Sequence, residues 1–159
     1  MQRAVLMVIL SMLATTAPCA EMLAARDTHS PIAYRLAGQY AHLAGSEDNA
    51  LALVMALHEG AAVTLMAPDA ADPEVTTIEP PTGRMGWNDV RFALVIAQDR
   101  LFRSGVRRPT GEQLQAALTG GEITRADGSV VDMEGILHMR ANGLTWERIA
   151  RSPVAQAAR

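Results

Sequence analysis

Lysine is absent from this chain, and all 14 of its basic residues are arginine. That reads as a coding bias rather than as mechanism. Cysteine is nearly absent too, with Cys19 alone. If the chain is cut after Ala20, the mature protein has no thiol, so disulfides and thiol chemistry are both excluded. Aromatics make up only 4%, so the core must be built from Ala, Leu, Val, Ile and Met. Catalytic signatures are missing as well. There is no Gly-x-Ser-x-Gly, no Walker loop and no dinucleotide glycine pattern. His58-Glu59 lacks a second histidine four residues on, and His29, His42, His58 and His138 have no ligand-like spacing. No cofactor or metal site is expected.

What is present fits one globular domain. The chain has 159 residues, 49% hydrophobic and 19% charged, enough to bury a modest core. Its net charge of -3 argues against a general nucleic-acid binder. The charge is uneven: residues 21–83 are strongly acidic, 84–125 carry a basic excess, and 126–159 balance. Two halves of opposite sign can pair with each other or steer a partner.

Met1–Ala20 has the order of a secretory signal peptide. Arg3 gives the positive start, Ala4–Ala14 an apolar run too short to span a membrane, and Ala17-Pro18-Cys19-Ala20 the small-residue end. Pro18 disfavours both a cut after Ala20 and lipidation of Cys19, so the cut lies within a few residues. The domain scheme is then signal peptide 1–20, a flexible leader or short helix over 21–39, a globular domain over 40–152, and a frayed tail over 153–159.

Within the domain, local signals mark helices and hairpins. Ile32–Leu43 carries Ile32, Leu36, Tyr40 and Leu43 on one helical face. Ser46 caps a helix that Gly60 stops. Ala62–Met66 and Glu74–Glu79 read as paired strands, and Pro80-Pro81-Thr82-Gly83 as a turn. A central helix follows, with Asn88 and Asp89 at its cap. Val90, Ala93, Leu94, Ala97, Leu101 and Phe102 form its apolar stripe, and Arg91, Gln98, Asp99, Arg100 and Arg103 its outer side. Thr110 and Gln113 form a capping box. Asp127-Gly128 predicts a type I′ hairpin between Glu122–Thr124 and Val130–Asp132. Asp132 caps a helix over Met133–Ala141, Asn142-Gly143 stops it, and Thr145 caps a last helix, Trp146–Arg151. The fold class is α+β, a small, mainly helical single domain with two short β-hairpins.

Two stretches imitate functional motifs. ILHMRANGLTWERIA reads as a helix-turn-helix, with Thr145, Trp146 and Arg148 opening the recognition helix. A plain helical hairpin packing Ile136, Leu137, Leu144 and Ile149 is the favoured reading, because an exported chain does not meet DNA and the second helix has only about two turns before Pro153. TRADGSVVDME imitates a calcium loop, but Ile123 and Arg125 would occupy its first ligand positions, so a cation is excluded. Contact residues for a partner are proposed at the ends of the central segment: Trp87, Arg103, Arg107 and Arg108, with Trp146. A tryptophan at a helix start serves as a core plug or as a binding anchor.

The segments PPTGRMGWNDVRFALVIAQ, PTGEQLQAALTGG and GILHMRANGLTWERIA, with AGSEDNALALVMALHEGAAVTL before them, resemble a family of small exported proteobacterial proteins of unknown function. The likeness spans roughly 40–150. The family has Gly-aromatic-Gly-Asn-Val where this chain has Gly86-Trp87-Asn88-Asp89-Val90, and Gly-Trp-Gly where it has Thr145-Trp146-Glu147. The resemblance implies export and a fold, and no activity. The expectation is an exported, non-enzymatic binding protein of the envelope, its partner another envelope protein or a second copy of itself. The alternative is a DNA-binding helix-turn-helix protein (133–152) if the chain is not exported, and the third reading is an enzyme of unrecognised type.

Overall fold

The computed structural model describes residues 30–67, 74–125, 127–153 and 156–157. The expected signal peptide lies outside the described residues. Helix α1 (Pro31–Ala44) has proline at its first turn, and the Ser30 side chain accepts from the Ile32 N–H. Ala33, Leu36 and Ala37 are buried on it, so the packed unit includes residues before the expected boundary at 40. Gly45, at φ 86°, turns the chain into helix α2 (Glu47–Glu59). Ser46 caps α2 through the Asn49 N–H, and Glu47 and Asp48 lie in its first turn.

Strands β1 (Val63–Met66) and β2 (Val75–Ile78) pair antiparallel, with Val63 opposite Ile78. Residues on β1 alternate, Val63 and Leu65 turning inward. Two bonds then fix how the chain enters its central helix. The Met85 N–H donates to the His58 carbonyl at 3.1 Å, and His58 Nδ1 donates to the Met85 carbonyl at 2.7 Å. Gly60 is required beside them, because a Cβ there would lie 2.3 Å from the Gly83 carbonyl carbon.

Helix α3 (Trp87–Arg103) is the hub. It packs against α1, α2, helix α4 (Gly111–Thr119), helix α5 (Ile136–Ala141) and helix α6 (Trp146–Arg151). Val90, Ala93, Leu94, Ala97 and Leu101 are essentially inaccessible on it, as their helical spacing requires. Its start differs from the expected one: Gly86 is the N-cap and makes no side-chain bond. Asn88 and Asp89 lie inside the helix, and the Asp89 carboxylate instead accepts from Trp146 Nε1 at 2.5 Å.

The C-terminal third closes the core from the other side. Thr110 and Gln113 make the reciprocal capping box of α4. Strands β3 (Gly121–Thr124) and β4 (Val130–Met133) pair antiparallel, and strand β5 (Gln156–Ala157) adds to β4. The tail is therefore not wholly frayed; pairing this short runs through backbone groups and leaves no side-chain alternation to read. The hairpin turn is not type I′, which needs positive φ at both central residues. Of Asp127 and Gly128 only the glycine is left-handed, at 82°, and its N–H returns to the Arg125 carbonyl.

Helix α5 begins at Ile136 rather than Met133, because Met133 is a buried strand residue paired with Gly121. Asp132 is thus no cap; Gly135 takes that position, bare of a side chain because Thr119 and Gly120 cross against it. Gly143, at φ 87°, and the Thr145 cap deliver α6 at its expected bounds.

Candidate interaction surface

The outer face of α3 departs most from the expected pattern. The chain holds two phenylalanines, and neither is in the core. Phe92 is 44% exposed and Phe102 is 59% exposed, with Val95 between them at 43%. At 100° per residue the three fall within one sector of the helix, opposite Ala93 and Ala97. Phe102 therefore does not belong to the core stripe as expected. Ile96 replaces it on the buried side.

Arg100 makes the reverse exchange. Expected on the outer side, it is 2% exposed and among the largest fully buried side chains. Nη1 donates to the Glu134 carbonyl at 2.7 Å. Nη2 donates to the Ile149 carbonyl at 3.1 Å and to Ser152 Oγ at 2.5 Å. Burial pushes its pKa below the ordinary arginine value, and the charges of Glu134 and Asp99 oppose that. Arg100 ties α3 to the start of α5 and the end of α6, and is structural.

The exposed face has aromatic and cationic flanks at both ends. Near its start, Phe92 stacks with Trp146, ring centroids 6.2 Å apart. The Arg140 guanidinium lies 5.2 Å over the Trp146 ring and 4.0 Å from the Asp89 carboxylate. Near its end, the Arg107 guanidinium lies 5.5 Å over the Phe102 ring. Arg103 pairs with Asp99 at 2.9 Å, both half exposed, an ion pair of small intrinsic worth. Hollows open on both sides of Phe102. One, of about 280 Å³, lies over Val95, Gln98 and Asp99; the other, of about 200 Å³, lies toward His42, Val106 and Arg107. Gln98 bridges to His42 at 2.8 Å between them.

The five proposed contact residues do not form one cluster. Arg103 and Arg107 flank Phe102, and Trp146 flanks Phe92, so these three edge the surface. Arg108 is exposed just beyond the helix and makes no hydrogen bond or ion pair among the described residues. Trp87 belongs elsewhere: its ring stacks on His58 at 3.7 Å and 15°, half-buried, as a plug over the α2–α3 junction.

No family model, curated protein or solved structure matches the chain. The surface must therefore be read from its own chemistry. Among the described residues, no group of His, Cys, Asp or Glu could hold a metal ion, and no helix is long and apolar enough to cross a membrane.

Reasoning from sequence missed Phe92 and Val95 and misplaced Phe102. The usable signal was angular: Phe92, Val95 and Phe102 all fall off the Val90–Ala93–Leu94–Ala97 stripe. A second apolar stripe on one helix asks for a second thing to pack against.

Proposed function

We propose that the protein is an exported, non-enzymatic binding protein whose partner docks on the outer face of α3. One observation carries the binding half. Both phenylalanines of an aromatic-poor chain stand exposed on one face of the central helix, while aliphatic side chains fill most of the core beneath. Fully burying an exposed phenylalanine is worth about 1.5–3 kcal/mol, and a partner recovers roughly half of that at each of these two half-exposed side chains. Arginine and tryptophan at the rim match the usual make-up of binding hot spots. The export half rests on residue order in Met1–Ala20.

A helix-turn-helix reading asks for Trp146 to be free for a groove. Its indole is committed to Asp89 and Arg140, and α6 is six residues long, so the surface on α3 is the better-supported site.

Fractionation tests export: the shortened chain belongs in the envelope fraction, and a full-length chain in the cytoplasm defeats that half. For binding, p-benzoylphenylalanine is placed at Val95 and, as a control, at Glu122 on β3. An adduct at Val95 and none at Glu122 is expected. No adduct at Val95 in growing cells removes the binding half.

A further inference from the structure

If a partner docks on α3, as proposed, the chemistry of that surface narrows what the partner can be. The face offers side chains only. Backbone N–H and C=O groups of α3 are spent inside the helix, so an extended peptide cannot add to it as a strand adds to a sheet edge. A partner that brings its own satisfied backbone is required, and a helix does. Phe92 and Phe102 are ten residues apart, about 15 Å along the axis at 1.5 Å per residue. That matches roughly three turns of a second helix carrying apolar residues at i, i+3, i+7 and i+10. The hollows beside Phe102 leave room for two of them.

The charge is equally specific. Arg91, Arg103, Arg107 and Arg108, with Arg140 at the Trp146 end, lie on or beside the face against the two carboxylates of Asp89 and Asp99, in a chain whose net charge is -3. This patch opposes the sign of the whole molecule, which marks it as complementary to acid. Self-association is disfavoured by the same charges. A two-fold antiparallel pairing of Phe92 with Phe102 of a second copy brings Arg91 beside Arg103 of that copy, and a parallel one sets each arginine against itself. A lipid surface is disfavoured by Asp99 at the centre of the face. We propose that the partner is an acidic amphipathic helix, its apolar ridge on Phe92, Val95 and Phe102 and its carboxylates on Arg103 and Arg107.

The test uses the full chain and a labelled synthetic helix of about 14 residues, with leucine on one face and glutamate beside it. Fluorescence anisotropy should show saturable binding, weaker at high salt. Binding should be roughly 10-fold or more tighter than to the same helix with lysine for glutamate. Phe102→Ser, at an exposed position, should abolish binding without unfolding the protein. Arg103→Glu with Arg107→Glu should invert the preference toward the lysine helix, which a merely structural role for the arginines would not do. Equal binding of both helices, equal binding of a scrambled glutamate peptide, or no binding overturns the inference. So does tighter binding to phosphatidylglycerol vesicles, or a dimer in sedimentation that Phe102→Ser dissolves. If the Val95 adduct still forms in those cases, docking on α3 stands and only the partner's chemistry is wrong. If it does not form, both fall.

Discussion

Replacing Arg100 by methionine removes a charge that the core encloses at 2% exposure and keeps most of the side-chain volume. Three hydrogen bonds to oxygen disappear, to the Glu134 carbonyl, the Ile149 carbonyl and Ser152 Oγ, with a weaker one to Met139 Sδ at 3.8 Å. Bonds from a charged donor are worth about 1.5–3 kcal/mol each, which bounds the loss near the high single digits. Against it stands the desolvation of the guanidinium, several kcal/mol that the variant no longer bears. Ser152 Oγ keeps its own bond to the Ile149 carbonyl, so that pair is not orphaned outright. The net expectation is a destabilisation of about 3 kcal/mol, at the lower edge of what breaking a buried charged network costs, or a fall in Tm of roughly 10 °C for a domain of this size. Urea unfolding followed through Trp87 and Trp146 measures it, with an unchanged slope expected. Hydrogen exchange should quicken first in α5 and α6, the elements that lose their tie. A variant within about 0.5 kcal/mol of the parent would refute the reasoning, since desolvation would then cancel every bond the arginine makes.

Gly135→Ala should destabilise by about 2–3 kcal/mol, because the new Cβ would meet the Thr119 carbonyl carbon at 2.2 Å and the Gly120 nitrogen at 2.4 Å; thermal melts decide it. Gly38→Ala should do the opposite and raise stability by roughly 0.5–1 kcal/mol, since that position is exposed within α1 and a Cβ there meets nothing within 4 Å. Asp89→Ala should strip Trp146 Nε1 of its acceptor, shift the indole emission and loosen α6, as read by fluorescence. For Asp127, hydrogen bonds from the Ser129 hydroxyl and N–H hold the carboxyl below its ordinary pKa, assisted by Arg125. A depressed folded-state value means the hairpin contribution is full above the unfolded-state pKa and is lost as pH falls through the folded one. NMR titration of the Asp127 carboxyl should give a midpoint below the ordinary carboxylate range, and a midpoint at or above it would count against the turn geometry.

Local chemistry accounts for what could be read from residues alone. Ser46, Thr110 with Gln113, and Thr145 announce helix starts because a cap bonds to N–H groups within three residues. Glycines mark several of the stops for a similarly local reason. Features decided at long range were not legible. Asp89 looks like a cap, but its acceptor capacity is taken by an indole 57 residues away. Arg100 looks like a solvent residue by type, while its position on the helix falls beside Ala93, Ile96 and Ala97. There, periodicity and residue type disagreed, and acceptors far along the chain decided for periodicity. Phe102 is the converse case. Its type argued for the core, its angle on the helix argued for the outside, and the angle prevailed.

The oxygen acceptors of Arg100 lie 34, 49 and 52 residues further along the chain. A polypeptide made or threaded from its N-terminus therefore carries an unfinished hub until residue 152 arrives, with a hydrated arginine where a dry one belongs. The short closing helices are a latch. They bring Ile136, Leu137, Met139 and Ile149 into the core, and without them the centre of the molecule holds an unpaired charge that keeps water in. Truncation near the end should thus be felt at the middle, and a proteolytic nick after α5 should release α6 and let water reach Arg100 on α3.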